Sequence, residues 1–245
     1  MTLALISGLF IGSVLGFVGA GGAMVSVPIL LYLFHFTPLA ATTAALAIVA
    51  AAAFSGVIPK MLTRDILYFE AITIWALGLT TNIGGALLAK HLSDTFITVG
   101  FAAIMVLAAS SMLRPIKLGA DEKRISLPSL VLLSLFIGAM TGIFGVGGGF
   151  LAIPVLANYY NTPQSKAAGT SLFIITLNCL TSLFAHHGSW HLVEWRYPIE
   201  IAFVAVLTST TASHLSSKAP TSLLRKSFAY LLFALAIFTV LRNWV

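Results

Sequence analysis

The chain has 245 residues, of which 59% are hydrophobic and only 8% are charged. Soluble domains are about 45–50% apolar and about 25% charged, so this composition excludes an ordinary soluble enzyme and a disordered tail. The net charge of +6 comes without a block of Lys or Arg, and it therefore does not indicate a nucleic-acid-binding surface. The expected solvent is a lipid bilayer.

Hydrophobic stretches follow one another along the chain, at 3–34, 39–57, 67–89, 95–113, 130–160, 168–186, 197–213 and 222–241. Six of them have the length of one helix that crosses about 30 Å of hydrocarbon. The first and the fifth are longer, and glycines interrupt both. A straight helix over 3–34 would be about 48 Å long, so we predict that these two segments break into helical hairpins over 3–36 and 130–160.

The two long segments are copies of each other. Residues 9–30 and 135–156 are offset by 126 positions, and ten of the 22 aligned positions are identical. The sequence thus predicts an all-α polytopic membrane protein with two repeats, 1–116 and 129–245, joined by a polar linker at 117–128. Each repeat is a glycine-broken hairpin followed by three transmembrane helices. Internal duplication of this kind is common in secondary transporters.

Two topologies fit this duplication. If the long segments each cross once, the repeats are parallel, and the 13 Lys and Arg residues divide eight to five between the two faces. If they enter and return on one face, the repeats are inverted, and the division is ten to three. Cytoplasmic loops carry the excess of positive charge, which favours inverted-topology repeats with both termini outside.

The glycine interruptions are predicted to be tips near the middle of the membrane. Irregular backbone is tolerated at that depth only inside protein or beside a wet cavity. A helix follows each tip at once, and a helix N-terminus offers unpaired N–H donors and a partial positive charge. Two such ends meeting at the midplane would bind a small anion without a side-chain cation. A purely structural turn is the alternative.

The predicted substrate-binding residues are the tip glycines and the hydroxyl and amide groups of the helices that follow. They are Gly19, Gly21, Gly22, Thr42, Thr43, Asn82, Gly145, Gly147, Gly148, Gly149, Thr170, Ser171 and Asn178.

Some ionisable residues lie inside or at the ends of the apolar segments. Glu200 and Glu70 lie a few residues inside theirs, which makes them candidates for proton coupling, with a headgroup-level position as the alternative. His186, His187 and His191 cluster where the sixth stretch ends and are predicted to lie in an interfacial loop. They have too few partners for a metal site, so we expect no metal and no cofactor.

The motif Gly16-x-x-Gly19-x-Gly21-Gly22 with Pro28, its copy from Gly142 to Pro154, and the segment 168–172 resemble the TauE/SafE family of sulfite-exporter-like permeases. The resemblance implies transport of small sulfur-containing anions or organosulfonates across a bacterial cytoplasmic membrane. It places the site at the tip glycines, Thr170 and Ser171. The first copy departs from the pattern in two places. It has Ala23 where the second has Gly149, and Thr43-Ala44-Ala45 where the second has Gly169-Thr170-Ser171.

The predicted function is therefore that of a secondary transporter, a multi-pass protein of the cytoplasmic membrane that carries a small anion by alternating access. One repeat would rock against the other. The expected partners are the anion and lipid but no nucleic acid, and a homo-oligomer is left open. The alternatives are an anion channel and a membrane-embedded enzyme that uses His186 and His187. The identity of the anion, the direction of transport and the coupling ion are also open.

Overall fold

The computed structural model describes residues 2–113, 126–159, 162–216 and 221–244, and the described part contains helices and no strand. The predicted linker, 117–128, lies outside the described residues as far as position 125. A short 3-10 helix at His187–Leu192 follows α8. The α-helices are α1 (Thr2–Val18), α2 (Gly22–Tyr32), α3 (Pro38–Leu62), α4 (Tyr68–Ala89), α5 (Asp94–Leu113), α6 (Leu127–Phe144), α7 (Gly149–Tyr159), α8 (Gln164–Ala185), α9 (Arg196–Leu215) and α10 (Thr221–Trp244).

The first long segment folds back on itself as a helical hairpin. Residues Ile6 and Phe10 of α1 line the same surface groove as Ile29 and Tyr32 near the end of α2. The two helices are therefore antiparallel, and the chain enters and leaves the hairpin at the same end. At 17 and 11 residues, α1 and α2 are about 26 and 17 Å long, so each is shorter than the hydrocarbon layer.

Left-handed backbone breaks the two long segments. Gly21 has φ of 88° at the start of α2, and Gly145 has φ of 69° at the end of α6. Residues other than glycine rarely adopt this conformation, because their Cβ atom would come too close to the following carbonyl oxygen. The predicted helix breaks are confirmed, and they lie at the repeated glycines.

Small residues bring helices of the two repeats into close contact. In α1, Gly8 lies against Ile201 of α9 and Gly16 lies against Ser209, so the two helices run in the same direction. The symmetry-related pair is α6 and α4, where Gly138 lies against the backbone of Gly78. Glycines at four-residue spacing allow such close approach of two helices.

The centre of the bundle is the antiparallel pair α3 and α8. Gly56 near the end of α3 lies beside Leu172 near the start of α8, and Lys60 contacts Ser165 one turn further on. Around this pair, α3 also packs on α9, α8 packs on α4, and α5 packs on α10. Exchanging the repeats leaves this set of contacts unchanged, as a two-fold axis requires. These directions are the ones expected for inverted repeats, whose topology across a membrane stays a prediction.

Among the described residues, five helices are long and apolar enough to cross a membrane: α3, α4, α5, α6 and Ser165–Ala185 of α8. By the same measure α1 and α2 are apolar but short. The predicted spanning segment at 197–213 forms α9, which has 20 residues. It is not among the five helices, because polar residues such as Glu200 and a run of Ser and Thr lower its mean hydropathy.

Candidate functional site

The two glycine tips lie at symmetry-related places against the central helices. Tip 1, residues 19–22, contacts α8 through Gly19 and Ala168, and tip 2, residues 145–149, contacts α3 through Gly145 and Thr42. Ala168 and Thr42 are each the fifth residue of their helix and are themselves 126 positions apart. Among the contacts described for the tip glycines, none joins one tip to the other. Each tip rests on the central helix of the other repeat.

Tip 2 has the richer polar surroundings. The Ser171 hydroxyl donates to the Gly149 carbonyl at 3.1 Å, and the Gly145 amide donates to the Thr141 carbonyl at 2.9 Å. Gly147 lies beside Ile175 and Cys179 near the middle of α8. In the described backbone hydrogen bonds, the amides at positions 146–148 donate none. They are therefore available as donors, together with those of the first turn of α7.

Two asparagines predicted as site residues meet inside the bundle. The Asn82 Nδ2 atom of α4 donates to Oδ1 and to the backbone carbonyl of Asn178 of α8, both at 3.1 Å. The two residues are 0% and 1% exposed. Asn178 precedes Cys179, which borders tip 2, and the Asn82 backbone lies against Gly142 of α6, three residues before tip 2. The structure therefore brings both amides to the tip 2 side of the bundle.

Several polar atoms on these helices have no hydrogen-bond partner. Buried atoms without a hydrogen bond include Asn82 Oδ1, Asn178 Nδ2 and the hydroxyl oxygen of Thr42, the residue against Gly145. A buried polar group without a hydrogen bond costs about 1–3 kcal/mol, so such groups are rare in folded proteins unless a water, an ion or a ligand satisfies them. Thr42 contacts Gly145 of tip 2, and Asn178 is the neighbour in sequence of Cys179, which lies beside Gly147.

Other predicted site residues have partners elsewhere. The Thr43 hydroxyl donates to the Leu39 carbonyl of its own helix at 2.8 Å. The Thr170 hydroxyl accepts from the Leu67 amide at 3.0 Å and so joins α8 to the loop between α3 and α4. At tip 1, the left-handed Gly21 faces the ring of Phe228 of α10, and Gly22 faces Leu15.

The two glutamates lie apart from the tips. Glu70 is in the first turn of α4. Glu200 is near the start of α9, with one carboxylate oxygen 3.6 Å from Arg196 and the other buried without a partner. Neither glutamate contacts the polar group at tip 2 in the interactions that the structure describes. Proton coupling through either glutamate stays a prediction.

Lys60 is one of the ten Lys and Arg residues that the inverted topology places on the more positive face. It is only 4% exposed, and its Nζ donates to the hydroxyls of Ser165 at 3.2 Å and Ser216 at 3.0 Å. Its Cβ also lies beside Gly169, the neighbour of the Ala168 that contacts tip 1. The ammonium itself is bonded to Ser165, which is about one turn of α8 before Ala168.

His186 is likewise buried, at 0% exposure, in the turn that ends α8. Its predicted place in an interfacial loop stays a prediction. It occupies the position that corresponds to Lys60 under the 126-residue offset. His187 next to it is exposed and bonds to the Phe184 carbonyl at 3.1 Å. The two histidines thus lie in different surroundings. Among the described residues, no group of three or more His, Cys, Asp or Glu side chains could hold a metal ion.

An apolar helix bundle with two broken hairpins and unpartnered polar groups inside it is the construction of a multi-pass membrane transporter. The family model described as "Sulfite exporter TauE/SafE" matches residues 4–239. The chain belongs to this family.

Curated relatives carry the same general description. A "Probable membrane transporter protein" of Xylella fastidiosa (strain 9a5c) is 27% identical over 97% of this chain and 94% of its own length. The "Probable membrane transporter protein YunE" of Bacillus subtilis (strain 168) is 24% identical over 81% of this chain and 82% of its own length. The "Probable membrane transporter protein MJ0441" of Methanocaldococcus jannaschii is 31% identical over 46% of this chain and 44% of its own length. These similarities support the assignment of the chain to the membrane transporters.

Proposed function

We propose that the chain is a secondary transporter of the cytoplasmic membrane that carries a small sulfur oxyanion or organosulfonate by alternating access. The observation that carries this proposal is a set of buried polar atoms without hydrogen-bond partners, among them Asn178 Nδ2 and the Thr42 hydroxyl, on residues that contact or adjoin the neighbours of tip 2, whose amides at 146–148 donate no described backbone hydrogen bond. Several N–H and O–H donors in an apolar interior suit an anion with several acceptor oxygens. The family description, sulfite exporter, supports the same substrate class.

The electrostatics of the bundle are consistent with reversible anion binding. Donors at tip 2 are neutral, so they supply partial charges and no fixed salt bridge. Lys60 is a buried basic side chain on the side of tip 1, bonded to the hydroxyls of Ser165 and Ser216. It also lies near the carboxylate of Asp65, to which Ser165 donates. An anion at tip 2 would meet partial positive charge without a permanent ion pair to break. Weak, multi-centre binding of this kind allows release as well as capture.

The two-fold arrangement of contacts supports alternating access. Each tip rests on a central helix of the other repeat. In a conformational change, repeat 1 can therefore adopt the conformation that repeat 2 had, and repeat 2 that of repeat 1. The predicted inverted topology would then present the site to one face and to the other in turn.

The decisive test uses the two asparagines. We expect sulfite, thiosulfate or a sulfonate to raise the unfolding temperature of the purified protein, because a ligand that binds only the native state stabilises it by about 2.7 kcal/mol at 100 times its Kd. The double variant Asn82→Leu/Asn178→Leu should lose this shift. Its unfolding temperature without anion should stay unchanged or rise, since both partners of a buried polar pair become apolar together.

The matched control is Ser110→Ala, which removes an exposed hydroxyl bonded within α5. It should leave the anion-induced shift at the wild-type value. A double variant that is stabilised by the anion as strongly as wild type would contradict the site. A wild-type protein that responds to short carboxylates and to none of the sulfur anions would contradict the substrate class.

A further inference from the structure

A row of polar side chains leads from tip 2 to one end of the bundle. Asn178 and Ser182 lie on one face of α8, His186 follows at the same four-residue spacing just after the helix ends, and all three are buried. The Ser182 hydroxyl donates to the Thr141 carbonyl at 3.4 Å, and that carbonyl also accepts the amide of Gly145 in tip 2. We call Asn178, Ser182 and His186 the polar row. It joins His186 to the proposed site through hydrogen-bonded groups.

The imidazole of His186 ends this row with one nitrogen bonded and one free. Its Nδ1 lies 2.9 Å from the Ser182 carbonyl, and because a carbonyl only accepts, Nδ1 carries the hydrogen. The neutral ring therefore has its lone pair on Nε2, which is buried and has no partner. A proton added at Nε2 would create a buried cation and a new donor. Both would be unfavourable there unless an anion arrived with the proton.

Charged groups around His186 strengthen this condition. Lys90 at the end of α4 is the charged group that acts on the ring, while His187 and His191 lie on the 3-10 helix that follows. The central helix α3 has its only ionisable residue, Lys60, at the opposite end, and α6 contains none. Burial lowers the pKa of His186, the hydrogen bond to the Ser182 carbonyl raises it, and Lys90 lowers it again. The net direction is downward, so the ring is neutral at neutral pH when no anion is bound.

We propose that His186 takes up a proton when the anion binds, so that the transporter carries the anion together with a proton. This inference rests on the proposed function and assigns the coupling to the buried end of the polar row. Thermodynamic linkage between proton binding and anion binding sets the direction of the pH dependence. A bound anion favours the charged imidazole and raises its pKa, so lowering the pH must tighten anion binding. Above the pKa of the anion-bound state, pH should have no effect.

The experiment measures the affinity for methanesulfonate or thiosulfate, whose own charge does not change between about pH 5 and 8, the range in which histidines titrate. Wild type should bind more tightly as the pH falls, by up to about tenfold per pH unit. His186→Gln keeps a donor for the Ser182 carbonyl but cannot be charged, so its affinity should not follow the pH. The matched control, His187→Gln, changes the exposed neighbour and should keep the wild-type slope.

A second measurement needs no substitution in the polar row. In weakly buffered detergent solution near neutral pH, anion binding to wild type and to His187→Gln should remove a proton from the medium. Binding without proton uptake, or a pH slope retained in His186→Gln, overturns the coupling and leaves the proposed function standing. Absence of anion binding to wild type at every pH overturns both proposals.

Discussion

At the scale of single residues, glycine has two different uses in this protein. Five of the tip glycines have positive φ, for example 72° at Gly147, so their role depends on backbone conformation. The helix glycines have ordinary φ and are needed for the space that they leave. Only the first kind turns peptide N–H groups away from a helix, and these are the groups that we assign to the anion.

Gly147→Ala should test the first use directly. The added Cβ would lie 3.2 Å from an Ile175 methyl and 3.4 Å from Cys179 Sγ, so contact alone is tolerable, and the cost comes from the left-handed backbone. We expect a loss of about 1–2 kcal/mol in the free energy of unfolding, together with weaker anion binding. Gly84→Ala, at a helical position with nothing within 4 Å of the new Cβ, should be neutral or slightly stabilising. Thermal unfolding in detergent and an anion titration measure both effects.

At the scale of elements, two glycine-lined seams hold the repeats together. The seam between α1 and α9 and the seam between α4 and α6 are both parallel helix pairs with backbones in contact. Lipid is as apolar as a leucine side chain, so burial from water cannot drive this association. Close van der Waals packing drives it instead, and small residues make it available.

Gly138→Leu should therefore destabilise the bundle. The new side chain would overlap the Gly78 backbone of α4, which cannot move without displacing the helix. The expected loss is about 1–3 kcal/mol or more, by overpacking, and a lower unfolding temperature measures it. Gly84→Leu, on the open face of the same α4, is the control and should unfold close to the wild-type temperature. Equal unfolding temperatures for the two variants would contradict the seam.

At the scale of the whole molecule, the repeats are interlocked and not side by side. The first helix of each repeat packs on the fourth helix of the other, so a rocking motion of repeat 1 against repeat 2 would separate the tightest seams in the bundle. A conformational change that preserves them must move mixed units, α1 with α9 and α4 with α6, around the central pair. The sequence-based expectation of one repeat rocking against the other does not suit this packing.

The predicted inverted topology has a direct test at two exposed loop positions. Arg64 follows α3 and His91 follows α4, so they lie at opposite ends of the bundle. In intact cells, a cysteine at His91 should react with a membrane-impermeant maleimide, and a cysteine at Arg64 should react only after permeabilisation. The positive charge on the Arg64 face gives this direction. The reverse labelling pattern would contradict the orientation, and labelling of both from outside would contradict the span between them.

The sequence by itself determined the solvent, the helices, the broken hairpins, the duplication and the family. These properties depend on local features, namely the length of apolar stretches and the conformations that repeated glycines allow. Tertiary structure decided which polar residues share a site, because that depends on the face that each helix buries. It brought Asn82 to Asn178 across 96 positions. It also placed the hydroxyl of Thr42, and not that of Thr43, without a partner beside tip 2. Lys60 and His186 are buried for the same reason: the ends of α3 and α8 are covered by the helices of the opposite repeat and by the loops beside them, which no local pattern encodes.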